Sequence, residues 1–150
     1  MKKTIIPVVI DTNVIVPSLY STLNIAHFLL SGDLTLIWNN YIFEEGCRII
    51  EKLGKLYIKK VGVYPDEVIK VFELITSAGY KVDEMPKGWP PISADRKDDP
   101  FLFAAYNGNA EFIVSEDRKH MLSLREFMGI PIGKPGSFFR WLISKHPKTS

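Results

Sequence analysis

Ile5-Ile6-Pro7-Val8-Val9-Ile10 is an unbroken apolar run that stops at a carboxylate, Asp11. A run this short, rich in Val and Ile and apolar at consecutive positions, reads as a strand buried on both faces. Such a strand belongs inside a parallel sheet with helices packed on both sides. In open α/β sheets, ligands bind just beyond the carboxyl ends of the strands, where Asp11 would stand. An Asp there can equally cap the next element. The remainder of the chain has to decide between a functional acid and a cap.

The rest alternates strand and helix signals. Val14 to Ser18 reads as a turn into a first helix through Asn24–Leu30, stopped by Ser31-Gly32-Asp33. Leu34–Trp38 is a second short strand. Asn39-Asn40 signals a helix start, and Tyr41 to Leu53 has helical spacing, with Ile42, Phe43, Gly46, Ile49, Ile50 and Leu53 on one broad face. Pro65-Asp66-Glu67 opens a further helix that Gly79 ends, and Lys81-Val82 is a short strand candidate. A Pro-rich loop over Met85 to Pro91 leads to Asp95-Arg96-Lys97-Asp98-Asp99, and Pro100 begins a helix to Asn107. Phe112-Ile113-Val114 is a third buried strand. Met121 to Phe127 reads as a short helix, and Ile130-Pro131-Ile132 as an edge strand because of its Pro. A last helix starts at Gly136-Ser137, and the tail from His146 to Ser150 is expected to fray. Strands alternating with helices imply βαβ units and a mostly parallel sheet in one domain over residues 1–150.

Bulk properties narrow the class. The apolar fraction, 46% of 150 residues, suits a folded domain with a sizeable core. The lone Cys47 excludes an intramolecular disulfide framework and fits a reducing, cytoplasmic setting. Lys2-Lys3 before an apolar run faintly mimics a signal peptide, but Asp11 interrupts it and no small-residue cleavage site follows. No segment has the length and apolarity of a bilayer span.

Acids recur at element ends. Asp11 and Asp117 each follow a buried strand, so parallel strands bring them to the same rim. Asp98-Asp99 stand at a helix start, which in a βαβ unit lies at that rim. Glu45 or its neighbour Glu44 could reach there from the second helix. Four carboxylates in one place resist ionising together unless a cation sits among them. Oxygen-only ligation favours a hard divalent ion, Mg²⁺ or Mn²⁺, completed by substrate phosphates. That layout suits metal-assisted phosphodiester hydrolysis. Net charge is +2; without four of the 17 acids, 19 basic side chains face 13 acidic ones, a balance of +6. A mildly basic body around an acidic hole suits a polyanion held by its phosphates.

Asp11-Thr12-Asn13-Val14, Ile42-Phe43-Glu44-Glu45, Asp98-Asp99 before Phe101-Leu102-Phe103-Ala104-Ala105, Ser115-Glu116-Asp117 and the closing Ile132–Phe139 together resemble a PIN domain. The resemblance covers nearly the whole chain. It implies a three-layer α/β/α sandwich and a Mg²⁺- or Mn²⁺-dependent ribonuclease. It also implies, for many stand-alone prokaryotic members, a VapC-type toxin restrained by a small antitoxin, and a homodimer. Carried over residue by residue, Asp11, Glu45, Asp99 and Asp117 would be catalytic metal ligands, supported by Asn13 and Ser115. Glu45 is favoured over Glu44 by the offset of Ile49 and Ile50, and Asp99 over Asp98 because it directly precedes the Ala-bearing helix. Glu116 departs from the commoner Thr-Gly-Asp and adds an acid near the metal.

Other features have quieter readings. Arg118, Lys119 and His120 read first as wet surface and second as phosphate contacts. Trp38 and Trp141 read as core, and Trp89 as a candidate for base stacking or a dimer interface. Cys47 reads as packing. A phosphoacceptor receiver domain would share an acid after the first strand and a Lys-Pro near the last, but it needs paired acids where Thr12-Asn13 stand. A haloacid-dehalogenase-like phosphatase would need Asp at position 13. An inactive PIN-like binding module is the remaining alternative, and the presence of all four acids argues against it.

Overall fold

The computed structural model describes residues 5–20, 24–92 and 95–147. Ile6–Ile10 forms β1, Thr12–Tyr20 α1, Asn24–Ser31 α2 and Leu34–Trp38 β2. Asn40–Val61 forms α3, Pro65–Ser77 α4 and Tyr80–Lys81 β3. A 3-10 turn over Arg96–Asp98 runs into α5, Asp99–Asn107. Phe112–Val114 is β4, Glu126–Phe127 β5, Ile130–Gly133 β6 and Pro135–Lys145 α6.

The strands form a six-stranded sheet in the order β3-β2-β1-β4-β6-β5. Every neighbouring pair is parallel except the β5–β6 hairpin. Alternation along β1 shows why both faces need cover. Ile6, Val8 and Ile10 enter one apolar cluster, with residues of α1, α2, α3, α4 and α6. Val9 points the other way, into a cluster with Ile37, Ile113, Phe101, Leu102, Ala104 and Ala105. All of these β1 side chains are at most 1% exposed. The fold is therefore a three-layer α/β/α sandwich, as the unbroken apolar run required.

The start of α3 positions an acid discussed below. Asn39 is buried, and its Oδ1 accepts the Ile42 amide at 3.0 Å. The Glu84 carboxylate accepts the amides of Asn40 and Tyr41 at 2.7 and 3.0 Å. Three amides of the first turn, otherwise unsatisfied, are thus capped by side chains. Further along α3, Gly46 and Gly54 let α4 approach. A Cβ at Gly46 would lie 2.5 Å from Phe72 Cε2, and one at Gly54 2.2 Å from Pro65 Cγ.

Several local expectations change. Residues 14–18 lie inside α1 rather than in a turn, with Pro17 within the helix. Helix α3 continues past Leu53 to Val61. Met121 to Phe127 is not a helix. Leu122–Leu124 makes one 3-10 turn, and Arg125 at φ 64° ends it and sends the chain into β5. Met128 and Gly129, at φ 50° and 82°, then make a two-residue hairpin into β6. Positive φ at both central residues matches the twist of the flanking strands. Consequently β6 is not the sheet edge; β5 covers its outer side. His146 does not fray: its Nε2 lies 2.9 Å from Glu111 Oε1 and its amide donates to the Leu142 carbonyl. Residues 148–150 lie outside those described. Trp89 packs on α5, with its ring 5.0 Å from Phe103 and 5.7 Å from Tyr106.

Candidate active site

Asp11 stands one residue past β1, and its amide donates to the Val114 carbonyl at 2.8 Å, so the strand ladder fixes it. Ser115 stands in the same place past β4. Its hydroxyl donates to Asp11 Oδ2 at 2.8 Å and accepts the Asp117 amide at 3.0 Å. One buried hydroxyl therefore ties together the acids that follow two adjacent strands. Asp117 is further oriented by the amides of Lys119 and His120, both 3.1 Å from Oδ1. Glu45 reaches the cluster from the second turn of α3. The Thr12 hydroxyl donates to its Oε2 at 2.6 Å, and the exposed Arg48 lies 3.8 Å from its Oε1.

Of the two acids at the turn before α5, Asp98 lies within the electrostatic reach of Asp11 and Asp117, and Asp99 is bonded to Ile92 and Arg96. Asp99 is 0% exposed, and its Oδ2 accepts the Ile92 amide and Arg96 Nη1, each at 3.1 Å. It anchors the preceding loop. Asp98 closes the 3-10 turn, and its carboxylate lies near Asp95 and His120 and feels the charges of Asp11 and Asp117. Its Oδ2 is buried without a hydrogen-bond partner, 3.5 Å from His120 Nδ1. Burial first, then the charges of Asp11, Asp117 and Asp95, push its carboxyl up to about 7, while His120 lowers it. Burial likewise raises Asp11 to about 6, opposed by the Ser115 hydroxyl and reinforced by Glu45 and Asp117. Asp11, Glu45, Asp98 and Asp117 thus act on one another electrostatically.

Glu44 is exposed on the wall of an adjoining hollow, beside Tyr41 and Arg48. Glu116 faces solvent, and its amide donates to Asn13 Oδ1 at 3.3 Å, so Asn13 braces the loop that carries Asp117. Three contributors stand outside the acids that the sequence pattern singles out: Thr12, Asp95, which reads there as a solvated loop residue, and His120, which reads there as surface or a phosphate contact. Thr12 holds Glu45 across 33 positions, with no local signal. Asp95 and His120 join Asp98 in a group whose potential ligand atoms all lie within 4.8 Å of one another. The spacing of His120 three residues after Asp117 was a usable hint, because Asp117 accepts amides from the turn that follows it.

A hard divalent cation suits these residues. The donors are carboxylate oxygens, one buried oxygen has no hydrogen bond, and two of the acids resist ionisation through burial first and like charge second, both of which a cation would offset. Neither Arg48 nor Arg96 fills the space: Arg48 is 71% exposed at the rim of Glu45, and Arg96 pairs with Asp99.

An α/β sandwich with acids gathered past β1 and β4 defines a class, and a family model identifies it. The model for the PIN domain matches residues 7–119, three quarters of the chain. The chain belongs to the PIN domain family, whose members are in general nucleases, and a nuclease-type function follows at that level. Among solved structures it is similar to PAE2754 from Pyrobaculum aerophilum, with a TM-score of 0.56 at 13% identity, covering 95% of this chain and 100% of that one. It is also similar to the PIN domain endonuclease Utp24, with a TM-score of 0.50 at 18% identity, covering 84% of this chain and 82% of that one. No curated protein matches the sequence. Membership sets aside the receiver and phosphatase alternatives. No described helix is long and apolar enough to cross a membrane.

Proposed function

We propose that the chain is a divalent-metal-dependent endoribonuclease that hydrolyses RNA phosphodiester bonds, with Asp11, Glu45, Asp98 and Asp117 as ligands for Mg²⁺ or Mn²⁺. The observation that carries this is the meeting of four acids from distant parts of the chain around a buried, unbonded Asp98 oxygen. Asp11, Glu45, Asp98 and Asp117 would hold the cation, which when bound would supply positive charge for the phosphate oxygens and lower the pKa of water. The chain's own residues do the rest. Ser115 and Thr12 hold Asp11 and Glu45 in fixed orientations through short hydrogen bonds. The amides after Asp117 fix that carboxylate. The exposed Arg118 and Lys119, beside Asp117, help to hold the strand by its phosphates.

The family likeness supports a cytoplasmic toxin paired with a small antitoxin, and a homodimer, as the setting for this activity. The test is cleavage of a labelled RNA with Mg²⁺ or Mn²⁺, with chelator, and by Asp98→Asn and Asp11→Asn. Cleavage that needs the ion and both acids supports the assignment; equal cleavage under all conditions places the activity elsewhere. No cleavage, together with no divalent-ion binding by calorimetry, favours an inactive binding module. A neighbouring reading frame for a small partner, and sedimentation of the purified chain, test the antitoxin and the dimer.

A further inference from the structure

We propose that Asp95, Asp98 and His120 form a second cation seat beside the four-acid cluster, one whose nitrogen donor suits a first-row transition-metal ion rather than Mg²⁺. This rests on the divalent-ion binding proposed above and on no RNA chemistry. A single 3-10 turn brings Asp95 and Asp98 together. The Asp98 amide donates to the Asp95 carbonyl at 2.9 Å, and residues three apart eclipse one another in such a turn. Asp95 also caps the turn, its Oδ1 accepting the Lys97 amide at 3.0 Å. His120 comes from a distant part of the chain, the turn after Asp117. Its amide donates to Asp117 Oδ1 at 3.1 Å, so the backbone sets where the ring stands.

The His120 Nδ1 lies 3.2 Å from Asp117 Oδ2 and 3.5 Å from Asp98 Oδ2. That Asp98 oxygen is buried and has no hydrogen-bond partner. A ring nitrogen whose lone pair faces carboxylates is repelled by them, so a positive species, a proton or a metal ion, belongs in between. The grouping favours the metal. One potential ligand atom from each of Asp95, Asp98 and His120 lies within 4.8 Å of the other two. Donors on one ion, at bonds of about 2.0–2.2 Å, stand roughly 3 to 4.4 Å apart, so small side-chain rotations close the shell. All three residues are partly exposed, which leaves an entry path. Arg96, between the two acids in the sequence, pairs with Asp99 instead. Mg²⁺ takes oxygen donors and gives up its waters reluctantly, whereas imidazole suits Co²⁺, Zn²⁺ and their neighbours. The four acids offer oxygen alone. The choice of cation therefore depends on two residues outside them, Asp95 and His120.

The test is metal binding by the intact chain, without RNA. Calorimetry measures Co²⁺ and Mg²⁺ in turn, and pulsed electron paramagnetic resonance of the Mn²⁺-loaded chain detects nitrogen from a coordinated imidazole. Circular dichroism checks the folding of each variant. The chain has three histidines, so His27→Gln and His146→Gln serve as controls. The parent should bind Co²⁺ more tightly than Mg²⁺ and show a nitrogen coupling that survives in both controls and vanishes in His120→Gln. His120→Gln and Asp95→Asn should each weaken Co²⁺ binding about tenfold or more and change Mg²⁺ affinity by no more than about threefold. No nitrogen coupling in the parent, or equal losses for Co²⁺ and Mg²⁺ in both variants, overturns the proposal and leaves a proton between the ring and the acids. Should His120→Gln fail to fold, the spectrum of the parent carrying isotope-labelled histidine and the affinities of Asp95→Asn decide the matter. The two levels separate cleanly. Nitrogen coupling and a preference for Co²⁺ in a chain that cleaves no RNA uphold the seat and reject the hydrolase. Mg²⁺-dependent cleavage without nitrogen coupling does the reverse.

Discussion

Asp98→Asn keeps the shape of the side chain and removes one charge from the crowded cluster. The carboxyl lies at about 7 against an ordinary 3.8. Three pKa units at about 1.4 kcal/mol each give an upper bound of roughly 4 kcal/mol that ionising Asp98 costs the folded state. Part of that repulsion is shared with Asp11 and Asp117, and the side chain is 17% exposed. The expected gain for Asn is therefore roughly 2 kcal/mol at about pH 8 without metal. The sign follows from linkage. Between about pH 4 and 7 the folded state holds a proton on Asp98 that the unfolded state has lost, so stability falls as pH rises through that window. Urea unfolding in EDTA, repeated from about pH 4.5 to 8.5, measures both effects. Asp98→Asn should flatten the fall and raise the midpoint at the alkaline end. A profile parallel to the parent's, or a less stable variant at about pH 8, would refute the placement of Asp98 among like charges. Adding Mg²⁺ should stabilise the parent and do little for the variant, since an ion that binds only the folded state acts by mass action.

Asp99→Ala should do the opposite, lowering stability by about 2 kcal/mol, because the Arg96 guanidinium and the Ile92 amide lose their shared acceptor; chemical denaturation of the two neighbouring variants side by side checks it. Ser115→Ala removes the hydroxyl between Asp11 and the Asp117 amide, and metal affinity by calorimetry should fall about 10- to 100-fold with the fold intact by circular dichroism. Gly46→Ala sets a methyl group 2.5 Å from Phe72 Cε2 in a closed core, and thermal unfolding should show a loss of about 1–3 kcal/mol.

The parts of the molecule that were legible in the sequence are those written in local pattern. Ile6 to Ile10 has to be covered on both faces, and that alone demands helices on both sides of a parallel sheet. Asp11 and Asp117 could be placed at one rim because β1 and β4 run the same way. The choice between Asp98 and Asp99 was out of reach for a local reason. Adjacent residues at a helix start point in different directions, and a 3-10 turn before α5 leaves no mark in composition. The β5–β6 hairpin was missed because Met128-Gly129 lacks the Asn-Gly or Asp-Gly signal, although its backbone takes positive φ at both positions. Thr12 and Glu84 act across dozens of residues, and such pairings emerge only once the layers are assembled.

Glu84 follows β3, a two-residue strand on the outer margin of the sheet, yet its carboxylate seats the opening turn of the helix that carries Glu45. The aim of one acid is therefore governed from the periphery, by a side chain outside the acid cluster. Change in that rim loop can retune the nuclease while every acid of the cluster stays the same.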